Sequence, residues 1–209
     1  GRVAVFAHLE SFAAPLAERV RQAQKESGRY SVDLWFKEGE IAIGRGDIVA
    51  YSGESGAGPP HLHLELRDAN NIPINPLLHD YAVEDAIAPV FQRIGFVPMG
   101  MESRANGRSD PTSMALRWDE EQQVYRTNKK VQIRGRVGIN ALVWDRADAA
   151  ANKLAPYALK LWVDGSEVFA AAYGRVSWAD AHQVELDRMY IDYANGRGRF
   201  FNLFRRPGN

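Results

Sequence analysis

A mainly β chain in two modules, interrupted by one short helical segment, is what this sequence predicts, and three observations carry the prediction. Apolar residues recur at every second position in short runs, most strictly in His-Leu-His-Leu-Glu-Leu-Arg over 61–67. Clusters of Gly, Pro, Asn and Asp separate those runs. The composition shifts across 80–89, and beyond it short runs rich in Val, Ile, Trp, Tyr and Phe follow one another as in a β-sandwich. We therefore expect a strand-rich unit over 1–80 and a β-sandwich (Ig-like) module over 86–209.

The elements follow in order. Residues 1–9 are rich in Val, Phe and Ala and read as a strand. A helix is expected over about 14–27, because Leu16, Val20 and Ala23 fall at helical spacing, Pro15 suits a first turn and Gly28 suits a C-cap. Strands are expected over 31–36, where Val32, Leu34 and Phe36 share a face, and over 40–43 and 47–52 around the turn Gly44-Arg45-Gly46. Gly53-Glu54-Ser55-Gly56-Ala57-Gly58-Pro59-Pro60 is a loop, 61–67 a strand, and Asn70-Asn71 a turn. In the second module strands are expected over 90–97, 114–118, 123–126, 131–138, 158–163 and 166–173, with a last one at 200–204. A polar loop is expected over 144–154, Trp35, Trp118, Trp144, Trp162 and Trp178 are expected in the core, and Trp144, beside that loop, is the one with a ligand contact as its alternative.

Composition excludes several classes. The 209 residues balance 26 basic against 26 acidic side chains, which gives no footprint for a nucleic-acid partner. The absence of Cys excludes a disulfide scaffold, a thiolate zinc site and a thiol nucleophile. No apolar run approaches the ~20 residues of a membrane helix. The balance is uneven along the chain: residues 1–80 hold 8 basic and 11 acidic residues, net −3, and the remainder is net +3. Arg197, Arg199, Arg205 and Arg206 gather near the end, as a solvated strand edge or as a contact for an anionic polymer.

The chemistry-bearing feature is His61-Leu62-His63. On a strand, positions i and i+2 share a face roughly 6.6–6.8 Å apart, so two imidazoles lean toward one point. Zinc suits such a pair, one His as ligand and one acting beside it; the plain alternative is two half-exposed strand histidines. Phe6-Ala7-His8-Leu9 ends another strand with a His. His79 and His182 complete the five and carry no motif.

Taken in order, Phe6-Ala7-His8-Leu9, then Gly46-Asp47-Ile48-Val49-Ala50-Tyr51-Ser52-Gly53-Glu54-Ser55-Gly56, then Pro60-His61-Leu62-His63-Leu64-Glu65 and Ile74-Asn75-Pro76 resemble the lysostaphin/LytM-type zinc metallopeptidases. That family shows an aromatic-x-His-Leu motif, a Gly-(Asp/Gln)-x-(Ile/Val)-(Ala/Gly) turn, a Gly-x-Thr-Gly loop and His-Leu-His-Phe-Glu. The likeness covers about 1–78. Residues 163–169, 191–193 and 206–209 also resemble, more loosely, the β-rich module that follows the peptidase in some members. The resemblance implies Zn2+ as cofactor, with His63 as a metal ligand and His61 and His8 as catalytic imidazoles acting on the bound water and the developing oxyanion. It further implies a groove passing Gly53, Ser55 and Gly56, peptidoglycan peptides as substrate, and a periplasmic or secreted place in the bacterial cell envelope.

The departures shape the expectation. The family's His-x-x-x-Asp, which supplies two further ligands and lies before the aromatic-x-His-Leu motif, occurs nowhere in this chain. We expect the chain to be the C-terminal portion of a longer enzyme, with an incomplete antiparallel β-sheet peptidase domain that is inactive alone. The alternative is a degenerate, non-catalytic peptidase-fold module that binds peptidoglycan or activates another cell-wall hydrolase. Phe6 stands for the usual Tyr, Ser55 for Thr, Leu64 for Phe, and Pro59 where Gly is common. The segment over 14–27 is an insertion, either a surface decoration or a lid beside the groove.

Overall fold

A computed structural model describes residues 1–56, 58–79, 81, 83–148 and 150–206. The chain is mainly β, with several small antiparallel sheets, few helices and, among the described residues, no closed barrel. It divides into two units, Gly1–Pro73 and Ile74–Asn209. The sequence reading divides it across 80–89, a stretch that forms neither strand nor helix among its described residues. Among the described residues no helix is long and apolar enough to cross a membrane.

In the first unit β1 (Val3–Ala7) turns at His8 into β2 (Leu9–Phe12). Helix α1 (Leu16–Ser27) ends where Gly28 adopts a left-handed φ of 64°, the conformation a glycine C-cap supplies without strain. Next come β3 (Ala50–Ser52), β4 (His63–Arg67) and β5 (Pro73–Ile74), the last lying across the division. The sheet order is β1-β4-β5, and β2 pairs separately with β3. In β4 the alternation works as written: Leu66 is buried at 5% exposure, while His63, Glu65 and Arg67 occupy the opposite face. Among the described residues β1 stands at the edge of its sheet with β4 as its one neighbour.

Three expectations for this unit are corrected. Residues 31–36 and 40–43 form no strand, and 47–52 contributes only its last three residues. Alternation shows that a segment has two faces, whereas a strand exists only where a neighbour takes its backbone hydrogen bonds. Trp35 is 89% exposed rather than core, on that unpaired stretch. The expected strand over 61–67 starts at His63, with His61 in an isolated bridge to Gly53. Pro59 and Pro60 have no backbone N–H to donate, so a ladder cannot extend back through them.

The second unit is built on β6 (Val90–Pro98), β8 (Thr112–Ala115), β12 (Val137–Trp144) and β15 (Phe200–Asn202), in the antiparallel order β15-β12-β6-β8. Three two-stranded pieces complete it: β7 (Arg104–Ala105) with β11 (Ile133–Arg134), β9 (Arg117–Asp119) with β10 (Val124–Arg126), and β13 (Ala158–Val163) with β14 (Ser166–Ala172). One face of the main sheet buries Ala141, Val143, Phe201 and Leu203 with Leu159, and Leu161 and Phe169 of the β13–β14 hairpin pack there. The other face buries Val97 and Phe200 with Met189, between the short helices α2 (Val184–Asp187) and α3 (Tyr190–Ala194). Trp118, Trp162 and Trp178, expected in the core, are exposed: the two inner faces are filled by smaller aliphatics and Phe.

Tyr173 donates its hydroxyl to Asp187 Oδ1 at 2.7 Å, and Arg188 donates to Asp187 Oδ2 at 2.6 Å. Burial, followed by the neighbouring carboxylate, pushes the Tyr173 phenol up to about 12. The folded state therefore holds this proton more tightly than the unfolded chain. Its contribution to stability is whole below about pH 10 and is lost as the pH climbs to about 12. Ultraviolet titration of phenolate absorbance should show one late tyrosine, and Tyr173→Phe should remove that component and lessen the alkaline loss of stability.

Candidate functional site

Backbone pairing gathers the three histidines. The register of β1 on β4 sets Ala7 opposite His63, which places His8 one residue beyond the end of the ladder. His8 has a left-handed φ of 60°, uncommon for a residue with a Cβ and costing roughly 1–2 kcal/mol. There its carbonyl accepts from Gly53 N at 2.7 Å, and the Gly53 carbonyl accepts in turn from His61 N at 3.4 Å. Gly53 is the clasp between two histidine-bearing segments, and no larger residue fits it. A Cβ there would sit 2.8 Å from the backbone N of Glu10 and 2.9 Å from its Cα.

The rings accordingly converge. The His8 and His61 centroids are 5.0 Å apart, tilted at 51°, and those of His8 and His63 are 5.5 Å apart, edge to face. His61 Nδ1 contacts the Pro59 carbonyl at 2.8 Å, which fixes that ring by its Nδ1 edge. His63 Nε2 meets Glu65 Oε1 at 2.8 Å, and Glu65 Oε2 accepts from Arg67 Nε, also at 2.8 Å. The Arg67 guanidinium, and after it His63, hold the Glu65 carboxyl below its ordinary range. The side chain of His63 is 43% exposed, so the cluster lies on an open face.

The sequence-singled groove residues divide. Gly56 lies against His8: a Cβ on it would be 2.5 Å from His8 Nδ1. Gly53 is the buried clasp, while Ser55 is exposed on the loop between them. His79 and His182 belong to the second unit, at the end of the 3-10 turn Pro76–Leu78 and within Trp178–Gln183. Sequence reasoning missed two members of the arrangement, Glu65 as the acid holding His63 and Pro59 as the carbonyl holding His61. The i, i+2 spacing of Glu65 from His63 on one strand face is the signal that could have found the first.

The donor set suits zinc in kind, since neutral imidazole is among its preferred ligands. It falls short in number: among the described residues no group of three or more His, Asp or Glu side chains is arranged to hold a metal ion. Gly56→Ala should drive the His8 ring from its place while leaving β1–β4 intact. A histidine-detected NMR spectrum should show His8 displaced and His63 still paired with Glu65. An unmoved His8 resonance would mean that the loop yields instead.

No protein-family model, curated protein or solved structure matches the chain.

Proposed function

We propose that the first unit is the C-terminal part of a zinc endopeptidase domain of lysostaphin/LytM type, which hydrolyses peptide bonds of peptidoglycan in the bacterial cell envelope. The convergence of His8, His61 and His63 on one place carries this reading. His63 is the ligand this chain contributes, and the His-x-x-x-Asp pair comes from sequence outside it. When bound, zinc supplies Lewis acidity to the scissile carbonyl and an acidified water. His61, fixed through Nδ1 by the Pro59 carbonyl, presents Nε2 for moving a proton. His8 stands beside it to donate toward the oxygen on which negative charge grows. Glu65 orients His63, as an outer carboxylate commonly orients a ligating imidazole, and Arg67 keeps it ionised.

A second observation supports an incomplete domain. Val3, Phe6, Phe12 and Tyr51 of the first unit's strands are exposed, and β1 has an open edge. Missing strands of the same domain would cover both. In the same reading the second unit is a β-sandwich accessory module (Ig-like), supported by the β13–β14 hairpin packed on the main sheet.

The His63–Glu65 pair is the observation that favours the alternative, a metal-free module that binds peptidoglycan or activates another hydrolase, because it gives His63 a partner that needs no metal. One preparation separates the two. The longer protein should carry one zinc per chain, release soluble peptides from peptidoglycan, lose that activity to a chelator and regain it with zinc. Tight peptidoglycan binding by a zinc-free, inactive protein would establish the module instead.

A further inference from the structure

At one end of the second unit the core stays open. β12 starts at Val137, whereas its neighbour β15 ends at Asn202, opposite Asn140. Leu203 N still donates to the Ile139 carbonyl at 2.9 Å, but no strand among the described residues flanks Val137 on the β15 side. The β13–β14 hairpin faces the same end. Its register shifts between Leu161 and Trp162, which leaves Val168 without a cross-strand partner and exposed. Sheet and hairpin enclose a hollow of about 630 Å³ there, the size of a small-molecule site.

The hollow continues the core. Ile139, Leu161 and Phe169 pack against the buried cluster and also line the hollow, each of them half-buried, and Leu203 lines it from within the cluster. Water there would lie against side chains that offer it no hydrogen bond, so an apolar guest is favoured. The charged lining groups are exposed and stand at the rim: Glu167 and Arg205. Glu167 is answered by Lys160, whose Nζ lies 3.4 Å from Oε2. Arg205 has no carboxylate partner among the described residues. The rim therefore keeps one uncompensated positive charge beside an apolar hollow, which selects an anionic amphiphile among apolar guests.

We propose that this hollow binds a fatty acid. The alkyl chain lies along Ile139, Leu161 and Phe169, and the carboxylate accepts from the Arg205 guanidinium at the rim. A concave space that runs into the core suits a slender chain better than the face of another protein. The site belongs to the second unit and is independent of the histidine cluster and of any peptidase reading.

Titrating the 209-residue chain with laurate below its micellar concentration, while following backbone amides by NMR, tests it. Saturable shifts centred on Gly138, Val168 and Leu203 are expected. Hexanoate, with half the carbons, should bind at least about a hundredfold more weakly, because fewer methylenes leave water. Dodecanol, which keeps the chain and lacks the charge, should bind about three- to tenfold more weakly than laurate. Arg205→Gln, a change at an exposed position, should bring laurate down to the level of dodecanol. No saturation with laurate would overturn the proposal. So would hexanoate binding as well as laurate, or laurate binding unchanged in Arg205→Gln. Dimerisation that shifts the same amides without laurate would overturn it too, by giving the hollow to a second copy of the chain.

Discussion

His63→Ala in the longer protein is expected to cut peptide release from peptidoglycan by at least about 10²–10³-fold, with zinc lost in parallel and the unfolding midpoint nearly unchanged. The magnitude follows from what a Lewis acid is worth. Several kcal/mol of charge stabilisation depend on the metal, and each 1.36 kcal/mol is a factor of ten in rate. A catalytic zinc held by three protein ligands keeps little affinity with two. The unchanged midpoint follows from position: His63 is the first residue of β4 and lies on its open face, so truncation leaves no cavity. Glu65 keeps Arg67 as its partner when His63 is gone. His61→Ala serves as the contrast, losing about 10²–10⁴-fold with zinc retained, since its role is proton transfer rather than ligation. Full activity in His63→Ala would remove the metallopeptidase reading. A collapsed midpoint would show that the cluster is structural.

What was legible in the sequence follows the reach of each signal. The alternation of 61–67 gave the two faces of β4, because a half-buried strand must alternate, and Leu66 and His63 fall on the expected sides. Gly28 marked the end of α1 because a left-handed C-cap needs it. The 31–36 stretch misled, since Val32, Leu34 and Phe36 alternate just as well without a partner strand. Residues 139–144 of β12 went unseen for a reason of packing. Gly138 and Asn140 weaken strand propensity, yet Gly138 lies under the Phe204 ring, where a Cβ would collide, and Asn140 fills the space over Gly95. The helices between 178 and 194 run four to six residues each, too short to show a period. In the site, the i, i+2 spacing placed His61 and His63 on one side. Periodicity alone did not bring His8 to them, which the resemblance implied; the Gly53 clasp beside it is a contact between residues far apart in sequence.

The largest stability effect is expected at Phe201, which is 3% exposed among Ala141, Val143, Leu159 and Leu203. Phe201 also pairs with Ala141 in the β12–β15 ladder and bridges to Arg188, whose guanidinium lies 3.5 Å from the ring centroid. Phe201→Ala removes the ring from a face closed by the β13–β14 hairpin, so the surroundings cannot collapse freely. The cost should be about 3–5 kcal/mol. Arg188 loses its nearer aromatic partner as well, though Tyr173 and its bond to Asp187 remain. Against a typical total of about 5–15 kcal/mol, this is enough to leave the second unit partly unfolded at ambient temperature. Four of the five tryptophans lie in that unit, so their fluorescence reports on it during urea unfolding. The midpoint should fall sharply at constant slope, since the surface exposed on unfolding barely changes. Phe201→Leu, which keeps most of the volume, should cost roughly 1–1.5 kcal/mol. Trp162→Ala, a larger truncation at an exposed position, should cost under about 1 kcal/mol. If Trp162→Ala proved the more damaging, the core would lie on the outer side of the hairpin, and the sheet order β15-β12-β6-β8 would not be what holds the second unit together.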